Sequence, residues 1–434
     1  MTLTEIRNAL AVLGTRPRQA LGQNFLHDQN LAAWIARRAT EAGNPLIVEI
    51  GPGLGSLTQF LIEKSDRLEV IERDRLLAAW LHERLGTQAV VHHADAMEFD
   101  LTHLWGHGPC TVVGNLPYYL STPLIEKYTD AISPASELVL TLQLEVAARL
   151  AASPASPDYG AMSVCVQRGW QVTLLKKLSP GVFYPAPKVS SAVVRLRRRP
   201  TRDMPPLDEA AFTDLVRRGF SERRKQLANL LPGYEERAES LGLPPRARAE
   251  NLSLHQWELL ASALQKAPAQ RDEELFDVVD EADVVIGPQP RNFVHVNNLR
   301  HRAIHIVLRN SEGRIFLQRR SRWKDMNPDL WDSSAAGHVD AGEDYMEAAH
   351  RELREELGVD CALERVGRIP ASAETKWEFV EIFSGIHTGP FRLAGAEVAG
   401  GAFFDSARIE QWMRTHPEDF TPLSRQIFPR YVFG

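Results

Sequence analysis

Five short apolar runs in the first third of the chain, set among amphipathic segments, restrict its fold more than any other feature. The runs are LIVEI (46–50), RLEVIE (67–72), AVVHHAD (89–95), CTVVGN (110–115) and ELVLTLQ (137–143). Around them, LAAWIARRAT and RLLAAWLHERLG repeat apolar residues at helical spacing. Strands that alternate with helices pair in parallel, so a doubly wound α/β sheet is expected. From about residue 200 the pattern turns helical, in DEAAFTDLVRRGF, RRKQLANLL and LSLHQWELLASALQ. The polar stretch QKAPAQRDEEL (265–275) reads as a linker. Beyond it stand two more strands, AIHIVLRN and RIFLQRR, and one strong helix at 343–357. The expected organisation is a doubly wound domain over 1–198, a small helical domain over 199–266, a linker over 267–274 and a second α/β domain over 275–434.

A chain of 434 residues exceeds one ordinary core, in agreement with that division. No apolar run approaches the roughly 18 residues of a membrane span. The start, MTLTEIRNALAVLG, lacks the basic, apolar and cleavage regions of a signal peptide. Cys110, Cys165 and Cys361 are too few and too dispersed for a disulfide framework or a zinc site. A cytoplasmic, membrane-free monomer is expected. The net charge of −6 conceals an asymmetry: residues 165–225 hold 14 basic against 5 acidic side chains, a net of +9. A basic block in an acidic protein suits a polyanionic partner.

VEIGPGLGSLT (48–58) is a strand, a glycine-rich turn and a helix start. Gly51, Gly53 and Gly55 permit a tight turn and close approach of a ligand to the backbone. Glu72 ends the next strand and is placed to accept hydrogen bonds from both ribose hydroxyls of a nucleoside. Asp95 ends the third and is placed to accept from an adenine amine. In a doubly wound sheet these strand ends meet along one crevice. GNLPY (114–118) ends the fourth. An adenine exocyclic amine is a poor nucleophile, because its lone pair is delocalised into the ring. The Asn115 side-chain oxygen and the Leu116 carbonyl can accept its two N–H bonds and aim the lone pair at a methyl sulfonium. Pro117 stiffens the turn, and Tyr118 offers a face on which an extruded base stacks.

These residues, with LGQNFLHD (21–28), FYPAPKVSSAVVRL (183–196), FSERRKQLANLL (220–231) and RAENLSLHQW (248–257), resemble the KsgA/RsmA-type dimethyladenosine transferases of small-subunit ribosomal RNA, over roughly 16–265. The resemblance implies a Rossmann-like methyltransferase sheet, S-adenosylmethionine as cofactor, and as substrate two adjacent adenosines near the 3′ end of that RNA in the assembling 30S subunit. By matching position it places Asn24, Leu26, Gly51, Gly53, Glu72, Asp95 and Asn115 around the cofactor, and Tyr118 and Phe183 on either side of the target adenine. Ala186 stands where that family usually has Pro. Arg197, Arg198, Arg223, Arg224 and Lys225 would then follow RNA phosphates.

The second α/β domain carries GHVDAGEDYMEAAHRELREELGV (337–359). Glu352, Glu355 and Glu356 lie at i, i+3 and i+4, where like charges on one helix face repel. Hard divalent cations such as magnesium remove that conflict. Gly337, Glu343, Arg351, Glu352, Leu353, Glu355, Glu356, Gly358 and Val359 match the fixed positions of the Nudix box, so the domain resembles a Nudix α/β/α sandwich. The resemblance implies a Mg²⁺ or Mn²⁺ site on Glu352, Glu355 and Glu356, with Glu352 also a candidate for activating water, and a small diphosphate substrate. Glu343 and Arg351 would pair to brace the loop. Glu374, Glu397 and Asp405 are unranked candidates for a further acid outside the box.

The segment 299–334 resembles the isopentenyl-diphosphate-isomerase-like branch of Nudix proteins. The isomerases use a Cys near the position of Ser333-Ser334-Ala335-Ala336; this chain has none there, which favours hydrolysis. Two rival functions bear on the whole chain. One is a large-subunit RNA methyltransferase of the antibiotic-resistance type. The other is a ribosome-assembly factor whose Nudix domain is a non-catalytic docking module.

Overall fold

A computed structural model of the protein describes residues 1–200, 207–264, 274–324 and 326–433. Of the expected linker at 267–274, residues 267–273 lie outside the described residues. The described residues divide into two compact units, one made of residues up to 200 with Phe212–Ala263, the other chiefly of 274–433.

The first unit is built on seven strands: β1 (Leu46–Ile50), β2 (Arg67–Glu72), β3 (Val90–His93), β4 (Cys110–Asn115), β5 (Ala135–Gln143), β6 (Trp170–Leu178) and β7 (Ser191–Arg198). Their order is β3-β2-β1-β4-β5-β7-β6. β1 to β5 pair in parallel, as the sequence indicates. β7 is antiparallel to both β5 and β6, so the sheet is mixed rather than wholly parallel. These last two strands need no crossover helix between them, and the alternation therefore does not announce them. β6 is an edge strand with Gln171, Thr173, Lys176 and Lys177 among its residues, too polar to read as a buried run.

All five residues of β1 are buried. Leu46, Val48 and Ile50 join Val112 and Leu138 in a cluster on one face. Ile47 joins Val70 and Val113 in a cluster on the other. Two-sided burial explains the largely apolar character of these strands, and each buried apolar side chain stabilises by roughly 1.5–3 kcal/mol. The strand order reverses between β1 and β4, which opens a crevice at their carboxyl ends.

Helices Glu209–Gly219, Tyr234–Ser240 and Leu254–Leu264 follow the sheet. The helix expected over RRKQLANLL is not formed; only Leu227–Asn229 makes a short 3₁₀ turn. The Leu227 amide instead donates to the Ala247 carbonyl at 2.8 Å, a long-range bond that a continuing helix could not make.

The second unit begins with a hairpin, β8 (Leu275–Val279) and β9 (Val285–Pro290), that the pattern did not indicate. Its main sheet holds β10 (His301–Arg309), β11 (Ile315–Arg320), β12 (Trp331–Asp332), β13 (Ala335–His338), β14 (Leu363–Ile369), β15 (Glu378–Ile386) and β16 (Val398–Phe404). The path is β12-β11-β10-β15-β14, with β13 on β10 and β16 on β11. Helix Tyr345–Glu352 starts at Asp344, whose side chain accepts from the amides of Met346 and Glu347 while Glu347 reaches back to the Asp344 amide. It buries Ala348 and Ala349 against Ile304, Ile306 and Phe383. Leu353–Leu357 continues it as one wider π-helical turn that ends at Gly358, φ +67°. No helix among the described residues is long and apolar enough to cross a membrane.

Candidate active sites

In the first unit the chain leaves β1 at Gly51 with φ +65°, followed by Gly53 at +61°, a region that side chains rarely tolerate. A Cβ on Gly53 would also stand 2.9 Å from the Phe25 ring. Glu72, at the end of β2, fixes this turn. Its Oε2 accepts from the Gly53 amide at 3.0 Å and its Oε1 from the Asp74 amide at 2.8 Å. Burial pushes the Glu72 carboxyl up to about 7, against the opposing effect of those N–H bonds. Asp95 accepts from the Met97 amide at 2.9 Å and faces the Arg73 guanidinium at 3.3 Å. Asn115, ending β4, donates its amide to the Asn24 carbonyl at 2.8 Å, which leaves its own carbonyl oxygen for another donor.

One cavity is lined by Asn24, Leu26, Gly51, Gly53, Glu72, Asp95 and Asn115, the seven residues expected around a cofactor. Of the walls that sequence reasoning missed, three bear on the chemistry. Glu49, inside β1, also lines it, and complete burial pushes its carboxyl up to about 8, with the charge of Glu72 adding to the shift. The Glu49 Oε2 and Ser56 Oγ atoms have no hydrogen-bond partner, and both residues line the cavity. Buried orphan acceptors of this kind call for a ligand that donates hydrogen bonds or carries positive charge. The acid in VEIGPG was the available signal for Glu49. Tyr119, 54% exposed, is the third.

Leu116, Tyr118 and Phe183 are not among the lining residues. Leu116 is buried, its amide donating to the Thr141 carbonyl at 3.2 Å. Tyr118 is tied through its hydroxyl to Ser191 Oγ at 2.6 Å. Phe183 is only 3% exposed, pairs with Leu26 and packs into the core. The expected sandwich of a base between Tyr118 and Phe183 is therefore not preformed in this conformation: the Phe183 ring serves the core.

The expected RNA-contacting cations are largely engaged. Arg197 faces Glu137 at 3.3 Å, Arg223 faces Glu250 at 3.2 Å, and Lys225 faces Glu222 at 2.8 Å. Arg198 donates to the Ala135 carbonyl and lies over the Trp170 ring. Arg224 is exposed.

In the second unit, Glu352 and Glu356 are buried, at 8% and 1% exposure, while Glu355 sits at the rim. A straight α-helix would have shown all three on one face. The wider turn at Leu353–Leu357 brings i and i+4 closer into line and swings i+3 aside. Burial raises the carboxyl pKa values of Glu352 and Glu356; Glu356 presses on Glu352, and Arg351 opposes at 2.7 Å. Arg351 also faces Glu343 at 2.9 Å and donates to the His338 carbonyl, so the expected brace is formed.

Glu356 accepts from the Gln318 side chain and the Ala336 amide, both at 3.1 Å. The Lys324 ammonium lies 3.5 Å from Glu356 and 2.6 Å from Glu397. Burial works against the charge on Lys324, and the two carboxylates outweigh it, raising its pKa. A cation lodged among carboxylates is the arrangement a divalent ion would find, and the all-oxygen donor set suits magnesium or manganese. Lys324, Glu352, Glu355 and Glu397 line one cavity, whereas Glu374 and Asp405 do not. Of the three unranked acids, Glu397 alone lines this cavity.

Sequence reasoning also missed a histidine cluster. His295, His301 and His338 offer ligand atoms within 4.8 Å of one another, a spacing that a metal ion could bridge. Glu378 faces His301 at 3.7 Å and His338 at 3.3 Å. Burial lowers His338 to about 4, and the paired histidines hold the buried Glu378 well below the usual carboxylate range. The three histidines come from separate segments, and only the fold gathers them.

Residues 14–266 match the family model described as ribosomal RNA adenine dimethylase. The chain belongs to that family. Residues 299–431 match the NUDIX domain model. Among the relatives of the dimethylase part is "Ribosomal RNA small subunit methyltransferase A" of Tolumonas auensis, 42% identical over 58% of this chain and 96% of its own length. The protein of the same name from Nitrosococcus oceani is 41% identical over 59% and 98%. Among solved structures, the 23S rRNA methyltransferase ErmE is similar at 27% identity and a TM-score of 0.46, over 56% of this chain and 99% of that one. This dimethylase is thus joined within one chain to a NUDIX domain.

Proposed function

We propose that the first unit dimethylates the exocyclic amines of two adjacent adenosines near the 3′ end of small-subunit ribosomal RNA, and that the NUDIX domain hydrolyses a small diphosphate with a divalent metal. The first half of this reading is supported by the convergence on one cavity of the glycine turn, Glu72, Asp95 and Asn115, each from the end of a neighbouring strand. When bound, S-adenosylmethionine supplies a methyl group activated by its sulfonium. Glu72 and Asp95 accept from the nucleoside part of the cofactor, and Glu49 balances its positive charge. The Asn115 carbonyl oxygen and the Leu116 carbonyl orient the target amine, so the gain is alignment and preorganised dipoles rather than strong base catalysis. Tyr118 flanks the base, and Phe183 joins it only by leaving its core position.

In the NUDIX domain, Glu352, Glu355, Glu356 and Glu397 would hold magnesium or manganese. Such an ion neutralises a diphosphate and polarises water. Arg291, Arg320 and Lys324 line the same cavity and are placed to meet phosphate oxygens. Cys361 is not among the lining residues, and no Cys occurs between 331 and 338, which supports hydrolysis over isomerisation.

The test of the first activity is to supply the purified chain with labelled cofactor and small-subunit particles that lack the modification, then analyse nucleosides by mass spectrometry. Dimethyladenosine at two adjacent positions is expected; label in large-subunit RNA alone would favour the resistance-type reading. A panel of nucleotide and isoprenoid diphosphates with magnesium or manganese tests the second. Absence of turnover on every member would favour the docking-module reading.

A further inference from the structure

The cations best placed to meet RNA in the first unit are not those with engaged partners. A surface cleft is lined by Asp28, Trp34, Arg37, Lys176, Lys177 and Ser179, with a few apolar neighbours. Arg37, Lys176 and Lys177 are exposed, and none has an acidic partner among the described residues. Asp28 is the one acid in the lining, and its carboxylate caps a helix by accepting from the Leu31 amide at 2.9 Å. Three cations against one carboxylate leave this wall at a net +2. Arg223, Lys225 and Arg197, by contrast, each face a glutamate.

The location matters as much as the charge. β6 is antiparallel to β7, which is antiparallel to β5, so β6 runs in the same direction as β1 to β5. Its end, with Lys176 and Lys177, therefore lies at the end of the sheet where β1, β2 and β4 deliver the glycine turn, Glu72 and Asn115. The chain beyond β6 is stitched to the cavity wall: His27 donates to the Val182 carbonyl at 3.0 Å, and Phe183 pairs with Leu26, a cavity-lining residue. Trp34 is partly exposed, with Lys176 and Arg38 each 5.4 Å from its ring. Arg38 is paired with Glu41, whereas Lys176 and its neighbours Arg37 and Lys177 have no acidic partner among the described residues, and such cations beside an indole form the combination that holds a nucleic acid strand without reading its sequence.

We infer that this cleft is a docking groove for the RNA strand that flanks the target nucleotide, with phosphates on Arg37, Lys176 and Lys177 and a base against Trp34. The inference rests on the RNA-methyltransferase reading. The groove would fix the strand at the rim while the target base enters the crevice, and it would leave cofactor binding untouched.

The test compares the unaltered chain with the double variant Lys176→Glu, Lys177→Glu and with Trp34→Ala. Binding to protein-free small-subunit RNA is titrated over a range of salt, with cofactor affinity by calorimetry and a thermal melt as controls. The double variant should bind at least about tenfold more weakly at low salt, and its log–log salt slope should fall by roughly 0.7 for each single-strand phosphate that no longer meets a cation. Trp34→Ala should weaken binding with the slope preserved. If the unaltered chain binds neither protein-free RNA nor small-subunit particles in a salt-dependent way, the methyltransferase reading itself fails; if it binds particles alone, the groove is overturned as a site for bare RNA strand. If it binds and the double variant matches it in affinity and slope, only the groove is overturned. A defect seen on whole subunits but absent on protein-free RNA would overturn it in favour of an acidic ribosomal protein surface.

Discussion

The two cavities hold their carboxylates in opposite ways. In the methyltransferase crevice, Glu72 is satisfied by two backbone amides, and Glu49 keeps an unpaired buried oxygen. In the NUDIX cavity, Arg351 and Lys324 neutralise Glu352, Glu356 and Glu397 with side-chain charge. Backbone donors are fixed by the fold and cannot leave. Side-chain counter-ions can be exchanged for an incoming ion. The first site is therefore suited to an organic cofactor of fixed shape, the second to a metal that displaces an internal cation.

The largest effect should come from breaking the second arrangement. Glu356→Gln removes the buried carboxylate that faces Lys324 and would face a bound metal, and on the proposed reading diphosphate hydrolysis should fall by at least about 1,000-fold at low metal. High metal concentration should recover part of it, as a magnesium titration of the rate would reveal. A rate insensitive to the change would mean that the cavity is not catalytic.

Asn115→Ala probes the preorganised crevice. Single-turnover methylation should slow by about 100- to 1,000-fold, the range for loss of one oriented dipole, while cofactor binding stays close to normal. A near-normal rate would remove the orienting role.

Glu72→Ala should act on binding instead. Loss of a charge-assisted acceptor costs roughly 1.5–3 kcal/mol and here also frees the Gly53 and Asp74 amides. Calorimetry should find cofactor affinity reduced by roughly 10- to 100-fold; an unchanged dissociation constant contradicts the assignment.

The smallest effect is a pH dependence. Burial raises Glu49 to about 8 and Glu72 to about 7, above their unfolded values, so the folded protein binds more protons there than the unfolded chain does. These groups contribute stability below the unfolded carboxylate range and lose it as pH rises toward about 8. A cationic cofactor reverses the preference by favouring the ionised forms. Its affinity should rise several-fold as pH passes from below about 7 to above about 8, with protons released on binding. Calorimetry in buffers of different ionisation enthalpy measures that release, and proton uptake would reverse the sign.

The sequence made some of this legible and hid the rest for physical reasons. β1, β2 and β4 coincide with the apolar runs because burial on both faces keeps them largely apolar, with Glu49 and Glu69 among the buried exceptions. Their ends could be read as a site because a doubly wound sheet must bring them together. β6 carries no such signature, since an edge strand is wetted, and β7, though interior, joins antiparallel without a crossover helix to announce it. The Nudix-box glutamates were visible as a repeat along one helix, but the π-helical turn that separates Glu355 from its neighbours leaves no mark in that spacing. Glu397, Lys324 and, in the histidine cluster, His338 come from segments distant from their partners, and proximity across the fold has no local pattern. Phe183 shows the reverse case: the motif indicates a role beside the substrate, while the conformation gives the ring to the core.

The separateness of the two chemistries is the central claim, and measuring both activities on each of two single variants tests it most directly. Purified Asn115→Ala and Glu356→Gln proteins would be assayed for adenosine dimethylation and for hydrolysis of a diphosphate that the unaltered chain turns over, with thermal melts alongside. The expected result is a double dissociation: Asn115→Ala loses methylation and keeps hydrolysis, and Glu356→Gln does the opposite. Loss of both activities in either variant, with an unchanged melt, would contradict it.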